Sequence, residues 1–231
     1  HRRRFSPRHV AYYARRAAGG AGLIVTEIAS VHASDWPYER APLADDDAVA
    51  GWAAVRAACR QHGALVLAGL GHAGGQGSSA YHQQALWAPS RVPDVASREV
   101  PMLVEQPEID ALVAGFAAAA ARAGAADLDG VEINAGQHSV LRQFLSGLTN
   151  QREDGYGSDR TRLLREVLDA TREGLGPDRL VGLRLCCDEL APWGGLTPED
   201  ALEVVSAVRA AVDYLVPVRG SGLSTGATRP D

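Results

Sequence analysis

Leu-Val-Gly-Leu-Arg-Leu-Cys, residues 180–186, is a short, nearly continuous apolar run with one arginine inside it. Such a run is typical of a strand that is covered on both faces, as the strands of a parallel sheet are. The chain contains four further runs of this kind, at 22–26, 64–70, 130–133 and 213–218. The sequence therefore predicts a parallel sheet of about five strands.

Alanine-rich stretches separate these runs, and their apolar residues recur at helical spacing. We predict helices over 7–18, 46–62, 107–123, 161–174 and 198–210. Thr197 followed by Pro198 is a helix start signal, because a threonine hydroxyl caps a helix and proline fits its first turn. The alternation of strands and helices predicts a parallel α/β fold, either an open doubly wound sheet or a closed (β/α)8 barrel.

Polar residues stand at the ends of the runs, where a barrel places its chemistry. Arg184 lies inside 180–186, and the residues that follow the other four runs are Glu27, His72, Asn134 and Arg219. No Gly-x-Gly-x-x-Gly follows the first run, which disfavours a nucleotide-binding Rossmann sheet. We therefore predict one domain over 1–231 and favour the (β/α)8 barrel, although about five strands are visible and a barrel has eight.

Composition restricts the class of protein. The chain of 231 residues is 46% hydrophobic, which is enough for a packed core and excludes a disordered chain. Its three cysteines are too few for a disulfide scaffold, and no stretch approaches the ~20 apolar residues of a membrane span, so we expect a cytoplasmic protein. The formal net charge of −5 argues against nucleic acid or an anionic membrane as partner.

Arg184 and His72 are the first candidates for chemistry. A buried guanidinium needs a partner, so Arg184 contacts either an anionic or electron-accepting ring, or Glu132 in the neighbouring run, and the two alternatives are compatible. His72 opens a glycine-rich loop in which a side chain can meet a flat ligand, and a satisfied structural histidine is the alternative. The glycines alone are a weak phosphate signal, because no Lys-Ser or Lys-Thr pair follows them.

The residues that close the fourth run have plain interpretations. Cys186 and Cys187 are expected to be buried small apolar residues. Asp188 and Glu189 are expected to lie in a solvated loop, and no metal site is predicted. A metal-dependent hydrolase that uses Glu27, His72 and Asp188 is a less favoured alternative.

The segment 129–157 is the most informative. It contains Gly-Val-Glu-Ile at 130–133, Gln-Phe-Leu at 143–145, and Thr-Asn-Gln-Arg-Glu-Asp-Gly-Tyr-Gly at 149–157. This pattern resembles the flavin-dependent Old Yellow Enzyme family, with its 2,4-dienoyl-CoA reductase branch. Stretches 20–27, 87–90, 98–101, 181–185 and 194–197 resemble the same family in the same order.

The resemblance implies a (β/α)8 barrel with FMN in its mouth, and transfer of hydride from NAD(P)H through the flavin to an activated alkene of a small-molecule substrate. Its cofactor-binding positions correspond to Glu27, Ile28, His72 and Arg184, with Arg184 facing the N1/O2 edge of the ring. Its catalytic positions correspond to Asn134 and Gln137 for the substrate carbonyl, and to Ser139 for proton donation. Because serine is a poor acid near neutral pH, the adjacent His138 or water is the alternative proton donor.

This chain departs from the family in two ways. Two amides stand where a histidine pair or a histidine and asparagine are usual, and Ser139 replaces the usual tyrosine, which suggests weaker activation. The resemblance also implies a first strand before His1 and a seventh and eighth after Asp231. We therefore expect an incomplete (β/α)8 barrel with about strands two to six present, as a fragment of a longer flavoenzyme. Open sheet edges favour a homo-oligomer or instability, and a degenerate barrel without activity is the alternative.

Overall fold

The computed structural model describes residues 3–221 and is built around parallel strands. In that range the strands are β1 (Leu23–Val25), β2 (Ala29–Ser30), β3 (Leu65–Gly71), β4 (Trp87–Ala88), β5 (Met102–Leu103), β6 (Gly130–Ala135), β7 (Leu180–Asp188) and β8 (Tyr214–Arg219). One sheet has the order β1-β3-β6-β7-β8, with the short β2 also paired to β3, and every pairing in it is parallel. Strands β4 and β5 form a separate parallel pair.

Helices connect these strands. Those among residues 3–221 are α1 (Pro7–Ala18), α2 (Asp46–Arg60), α3 (Gln106–Ala125), α4 (Val140–Leu145), α5 (Gly155–Ser158), α6 (Arg162–Leu175) and α7 (Pro198–Val208). The predicted start of α7 is confirmed: the Thr197 hydroxyl accepts a hydrogen bond from the Asp200 backbone N–H at 3.3 Å, and the Asp200 carboxylate accepts one from the Thr197 N–H at 2.9 Å. This reciprocal capping satisfies two backbone donors that a helix start leaves free.

The five predicted strands and five predicted helices are present, with ends that differ by a few residues. The helix predicted over 46–62 ends at Arg60, and the strand predicted over 130–133 continues to Ala135. The sequence did not indicate β2, β4, β5, α4 or α5, because elements of two to six residues are too short to show a hydrophobic period.

The two faces of the sheet differ. Val66, Ala68 and Leu70 of β3 belong to the hydrophobic core that packs under the helices. The alternate positions point to the opposite side, which we call the inner face. In the strand register the inner face carries Gly69, Glu132, Gly182 and Tyr214 in one row, and Gly71, Asn134, Arg184 and Val216 in the next row.

Consecutive parallel strands joined by helices on one side are the arrangement of part of a (β/α)8 barrel. This confirms the predicted fold class and excludes the doubly wound alternative. Among residues 3–221, no helix combines the length and the apolar character needed to cross a bilayer.

Candidate active site

The carboxyl ends of β3, β6 and β7 bring three predicted positions together. Asn134 and Arg184 are register partners on adjacent strands. Gly71 lies beside Asn134, since a Cβ added to it would stand 3.3 Å from the Asn134 Cβ and 2.9 Å from the Ile28 Cγ2. We call the surface formed by Ile28, Gly71, Asn134 and Arg184 the mouth. It lies where barrel enzymes carry their chemistry.

Arg184 extends across the inner face to Glu132. Its Nε donates to the Glu132 Oε1 at 2.9 Å, which confirms the predicted ion pair. The Glu132 side chain is 5% exposed, whereas that of Arg184 is 37% exposed. Within residues 3–221 the two terminal nitrogens of Arg184 have no hydrogen-bond partner. The guanidinium therefore has donors left for a ligand at the mouth.

Tyr214 makes the second side-chain hydrogen bond to the Glu132 carboxylate. Its phenolic O–H donates to the Glu132 Oε2 at 2.8 Å. Gly182, on the strand between them, makes this contact possible, because a Cβ there would lie 2.1 Å from the Tyr214 Cζ. Burial raises the pKa of Tyr214, and the hydrogen bond to Glu132 raises it further, so the phenol keeps its proton.

Asn134 lies at the mouth, whereas Gln137 lies at its rim. The Asn134 Oδ1 accepts the Gly136 backbone N–H at 3.1 Å, and its Nδ2 has no partner among residues 3–221. The amide nitrogen therefore remains able to donate to a ligand. The Gln137 Nε2 donates to the Arg219 carbonyl at 2.5 Å, which ties Gln137 to the end of β8.

His138 and Ser139 follow in different environments. His138 is exposed and adopts a left-handed backbone with φ of 50°. Ser139 is fully buried, and its hydroxyl donates to the Asn134 carbonyl at 2.6 Å while it accepts the Leu141 backbone N–H at 3.1 Å. The hydroxyl thus caps α4. Its predicted role in proton donation stays a prediction, and His138 is the more accessible of the two.

Glu27 and Ile28 lie between β1 and β2. The Glu27 carboxylate accepts the Tyr38 phenol at 2.5 Å and lies 3.2 Å from the His9 Nε2, so it faces α1. Burial, followed by the hydrogen bond to Glu27, raises the pKa of Tyr38. Ile28 is 40% exposed and contributes an apolar surface to the mouth. The predicted flavin contact of this segment therefore depends on Ile28. The Glu27 carboxylate instead holds the segment through its contacts with His9 and Tyr38.

His72 has the environment of a satisfied structural histidine. Its Nδ1 accepts the Gly74 backbone N–H at 3.0 Å, and its Nε2 is 3.0 Å from the Ser34 hydroxyl. Its ring stacks on Trp87 with a centroid distance of 5.6 Å. Burial lowers the pKa of His72, so the ring is neutral near pH 7. Its predicted contact with FMN stays a prediction.

A second ion pair lies in the interior of the protein, where none was predicted, and the prediction for one of its members is wrong. Arg142 of α4 pairs with Glu189, and both side chains are fully buried. Glu189 also accepts the Ser146 hydroxyl at 2.5 Å and the Leu196 backbone N–H at 2.7 Å. Glu189 therefore does not lie in a solvated loop, because α4 supplies a buried cation that holds it. An arginine inside the apolar stretch 140–145 was the available signal.

Three further residues from the sequence predictions, Cys186, Cys187 and Asp188, lie at the end of β7. Asp188 is the last residue of β7 and half-buried, so its expected place in a solvated loop is wrong, and the Arg219 Nε donates to its Oδ2 at 3.0 Å. Cys186 is buried as predicted, and burial raises the pKa of its thiol to about 12, whereas Cys187 is half-buried. Among residues 3–221 no group of three or more His, Cys, Asp and Glu side chains is placed to hold a metal ion.

A cavity of about 710 Å³ opens between the loop 147–161 and the loop before α7. None of the predicted site residues lines it. The cavity is therefore separate from the mouth.

The residues of the mouth fit an isoalloxazine ring. Arg184 and Asn134 present uncommitted N–H donors side by side, which suits the acceptor edge of a flat electron-accepting ring. Ile28 supplies an apolar contact, and Gly71 leaves the space that a Cβ would take. These donors at the carboxyl end of a barrel sheet favour a barrel oxidoreductase that uses a flavin.

The chain belongs to the NADH:flavin oxidoreductase / NADH oxidase family, whose model matches residues 4–219. This match confirms the family that the resemblance indicated. It is 37% identical over 186 residues to a metal reductase of Desulforamulus reducens, a match that covers 79% of this chain and 28% of that protein.

Two further likenesses cover most of the chain. An NADPH dehydrogenase of Clostridium acetobutylicum is 27% identical over 220 residues, which are 94% of this chain and 64% of that protein. A structure of morphinone reductase with tetrahydroNAD has a TM-score of 0.80 and 29% identity, and the match covers 90% of this chain and 63% of that one. The chain thus spans less than two thirds of the length of each of these relatives.

Proposed function

We propose that the whole protein transfers hydride from NAD(P)H through FMN to the activated alkene of an enone or enoyl thioester. The observation that carries the proposal is Arg184, a guanidinium held at Nε by Glu132 with both terminal nitrogens uncommitted at the mouth. Bound FMN supplies the hydride-accepting and hydride-donating ring. The chain supplies the positive charge for the ring edge that becomes negative on reduction.

Asn134 supports the substrate part of the proposal. Its Nδ2 is free to donate to a substrate carbonyl, beside the place where Arg184 would meet the ring. A neutral amide donor stabilises developing negative charge less than a cation does. The Gln137 Nε2 is already bonded to the Arg219 carbonyl at the end of β8. Of the proposed Asn134 and Gln137 pair, only Asn134 therefore has a free N–H donor, and Gln137 offers its side-chain oxygen. Water or the exposed His138 would deliver the proton.

The location and the partners are also proposals. Cys59, Cys186 and Cys187 are free thiols, which agrees with the reducing conditions of the cytoplasm. A small molecule is the proposed substrate, with no nucleic acid partner. Strands β1 and β8 are the edges of the described sheet, and such edges support the proposal of a homo-oligomer.

The test compares the whole protein with Arg184→Gln and, as a control, with Arg209→Gln at the exposed end of α7. Loss of a charged hydrogen bond costs about 1.5–3 kcal/mol. For a two-electron couple this lowers the flavin midpoint potential by roughly 30–65 mV. The measurements are spectroelectrochemical titration of bound FMN and anaerobic reduction of 2-cyclohexenone by NADPH and by NADH.

A protein that holds no FMN, or equal potentials in the Arg184→Gln and Arg209→Gln variants, would contradict the proposal. FMN binding without turnover of any enone or enoyl thioester would favour the alternative of a degenerate barrel. Ser139 and the amide pair at 134 and 137 are the observations that favour this second candidate.

A further inference from the structure

Glu132 is an unexpected neighbour for the cation of a flavin site. Its carboxylate is nearly buried and lies 2.9 Å from the Arg184 Nε, so its negative charge offsets part of the guanidinium charge. The charge that the mouth presents therefore depends on how strongly Glu132 acts on Arg184. Whatever neutralises Glu132 increases the positive field at the mouth.

Tyr214 is the group that acts on Glu132 from the other side. Arg184 uses Oε1 of the carboxylate, and the Tyr214 phenol donates to Oε2 at 2.8 Å. A hydrogen bond to a carboxylate disperses its negative charge and fixes its orientation. The three side chains thus form a line from β8 through β6 to β7, with only Arg184 reaching the mouth.

The contact needs a specific pairing of residues. Tyr214 stands on β8, two strands from Glu132, and Gly182 occupies the register position between them. Any side chain at 182 would collide with the Tyr214 ring, whose nearest atoms lie 2.1–2.4 Å from the place of a Cβ. The absence of a side chain at Gly182 therefore allows Tyr214 to reach the Glu132 carboxylate.

We propose that Tyr214 is a positioning residue, which holds the Glu132 carboxylate and thereby sets the charge that Arg184 presents to FMN. The inference rests on the proposed function and adds a third residue to the control of the flavin. The Tyr214 phenol is bonded to Glu132 and is not one of the mouth residues, so it acts on the redox equilibrium through Glu132 and Arg184.

The experiment measures the dissociation constants of oxidised and reduced FMN in the whole protein under anaerobic conditions. In Tyr214→Phe the carboxylate loses a donor and offsets Arg184 more, so reduced FMN binds about three- to tenfold more weakly relative to oxidised FMN. In Glu132→Gln the offset is removed, so the affinity for reduced FMN relative to that for oxidised FMN, which is the ratio compared below, rises at least about tenfold. For a two-electron couple this raises the midpoint potential by roughly 30 mV.

The double variant Tyr214→Phe/Glu132→Gln should equal Glu132→Gln, because Tyr214 acts only through the carboxylate. Tyr12→Phe, an exposed phenol on α1, is the control and leaves the ratio unchanged. A purely structural Tyr214 would change unfolding but not the ratio, and this result overturns the inference. So do shifts of equal sign in the two single variants.

The outcomes also separate the inference from the proposed function. If wild type binds no FMN, or if Arg184→Gln leaves the ratio unchanged, both fail. If Arg184→Gln weakens reduced FMN while Tyr214→Phe does not, the inference alone fails. If Tyr214→Phe does not fold, Glu132→Gln carries the test. The inference is overturned if that variant does not bind reduced FMN, relative to oxidised FMN, more tightly than the wild type does.

Discussion

The molecule contains two arginine–glutamate pairs that differ in what is left over after pairing. Arg142 and Glu189 are both fully buried, and the carboxylate also receives Ser146 and Leu196. Arg142 further donates to the Gln76 Oε1 at 2.7 Å. In the other pair, Glu132 is buried but Arg184 is open at its terminal nitrogens.

The difference separates a structural pair from a pair suited to a ligand. The first pair joins α4, the turn after β3 and the loop after β7. Both Glu189 oxygens accept hydrogen bonds, and the Arg142 Nε is buried without a partner among the described residues, so it faces no opening. The second pair fixes a cation by one nitrogen and leaves the others for the mouth. Burial of a charge alone does not indicate a functional site. Unused hydrogen-bonding capacity that faces an opening is the more informative feature.

Arg142→Met is expected to have the largest effect on stability. It leaves Glu189 buried without its cation, which costs about 3–5 kcal/mol. Urea unfolding followed by circular dichroism measures the loss. Arg165→Ala removes the cation of the exposed pair with Asp159 and should cost only about 0–1 kcal/mol.

Equal losses in Arg142→Met and Arg165→Ala would show that the buried pair is not the stronger structural element. A further comparison uses Arg142→Met/Glu189→Leu, which removes both charges. It should lose less stability than Arg142→Met alone, because no unpaired charge remains in the interior.

His72 sharpens the comparison because it is buried like Arg142 but neutral. Burial lowers its pKa below the value of about 6.5 in the unfolded chain, so its contribution to stability is present above that pH. As the pH falls below about 6.5, His72 binds a proton in the unfolded chain but stays neutral in the folded protein. Stability then falls by as much as about 1.4 kcal/mol per pH unit.

His72→Asn should reduce this slope, measured as the free energy of unfolding between pH 8 and pH 5. Part of it remains, because desolvation also lowers the pKa values of His32 and His138. His62→Asn, on an exposed histidine, is the matched control and keeps the slope of the wild type. If His72→Asn keeps it too, the ring is not neutral in the folded protein.

Ser139→Ala gives the smallest effect and tests whether this residue belongs to the structure or to the mouth. Removing the cap of α4 should cost about 1 kcal/mol, as should Thr197→Ala at the start of α7. Enone reduction should be unchanged in both. A large loss of turnover in Ser139→Ala alone would instead support the role in proton donation that its position suggests.

Much of the fold could be predicted because buried parallel strands leave continuous apolar runs, as 64–70 and 180–186 do. The ion pair of Arg184 and Glu132 was predictable for the same reason, since a charge inside such a run needs a neighbour. Glu189 was not, because its partner lies 47 residues earlier on a six-residue helix. The reach of Tyr214 depends on the absence of a side chain at 182, and no pattern along one strand shows that.

The turn after β3 has a consequence for the curvature of the whole sheet. Its Gln76 Nε2 donates to the Ser221 carbonyl just beyond β8 at 3.0 Å. In a flat sheet, β3 and β8 would be about 14 Å apart, three spacings of roughly 4.8 Å each. This side-chain hydrogen bond joins the two flanks across the inner face, so the described strands form a curved sheet and not a flat one.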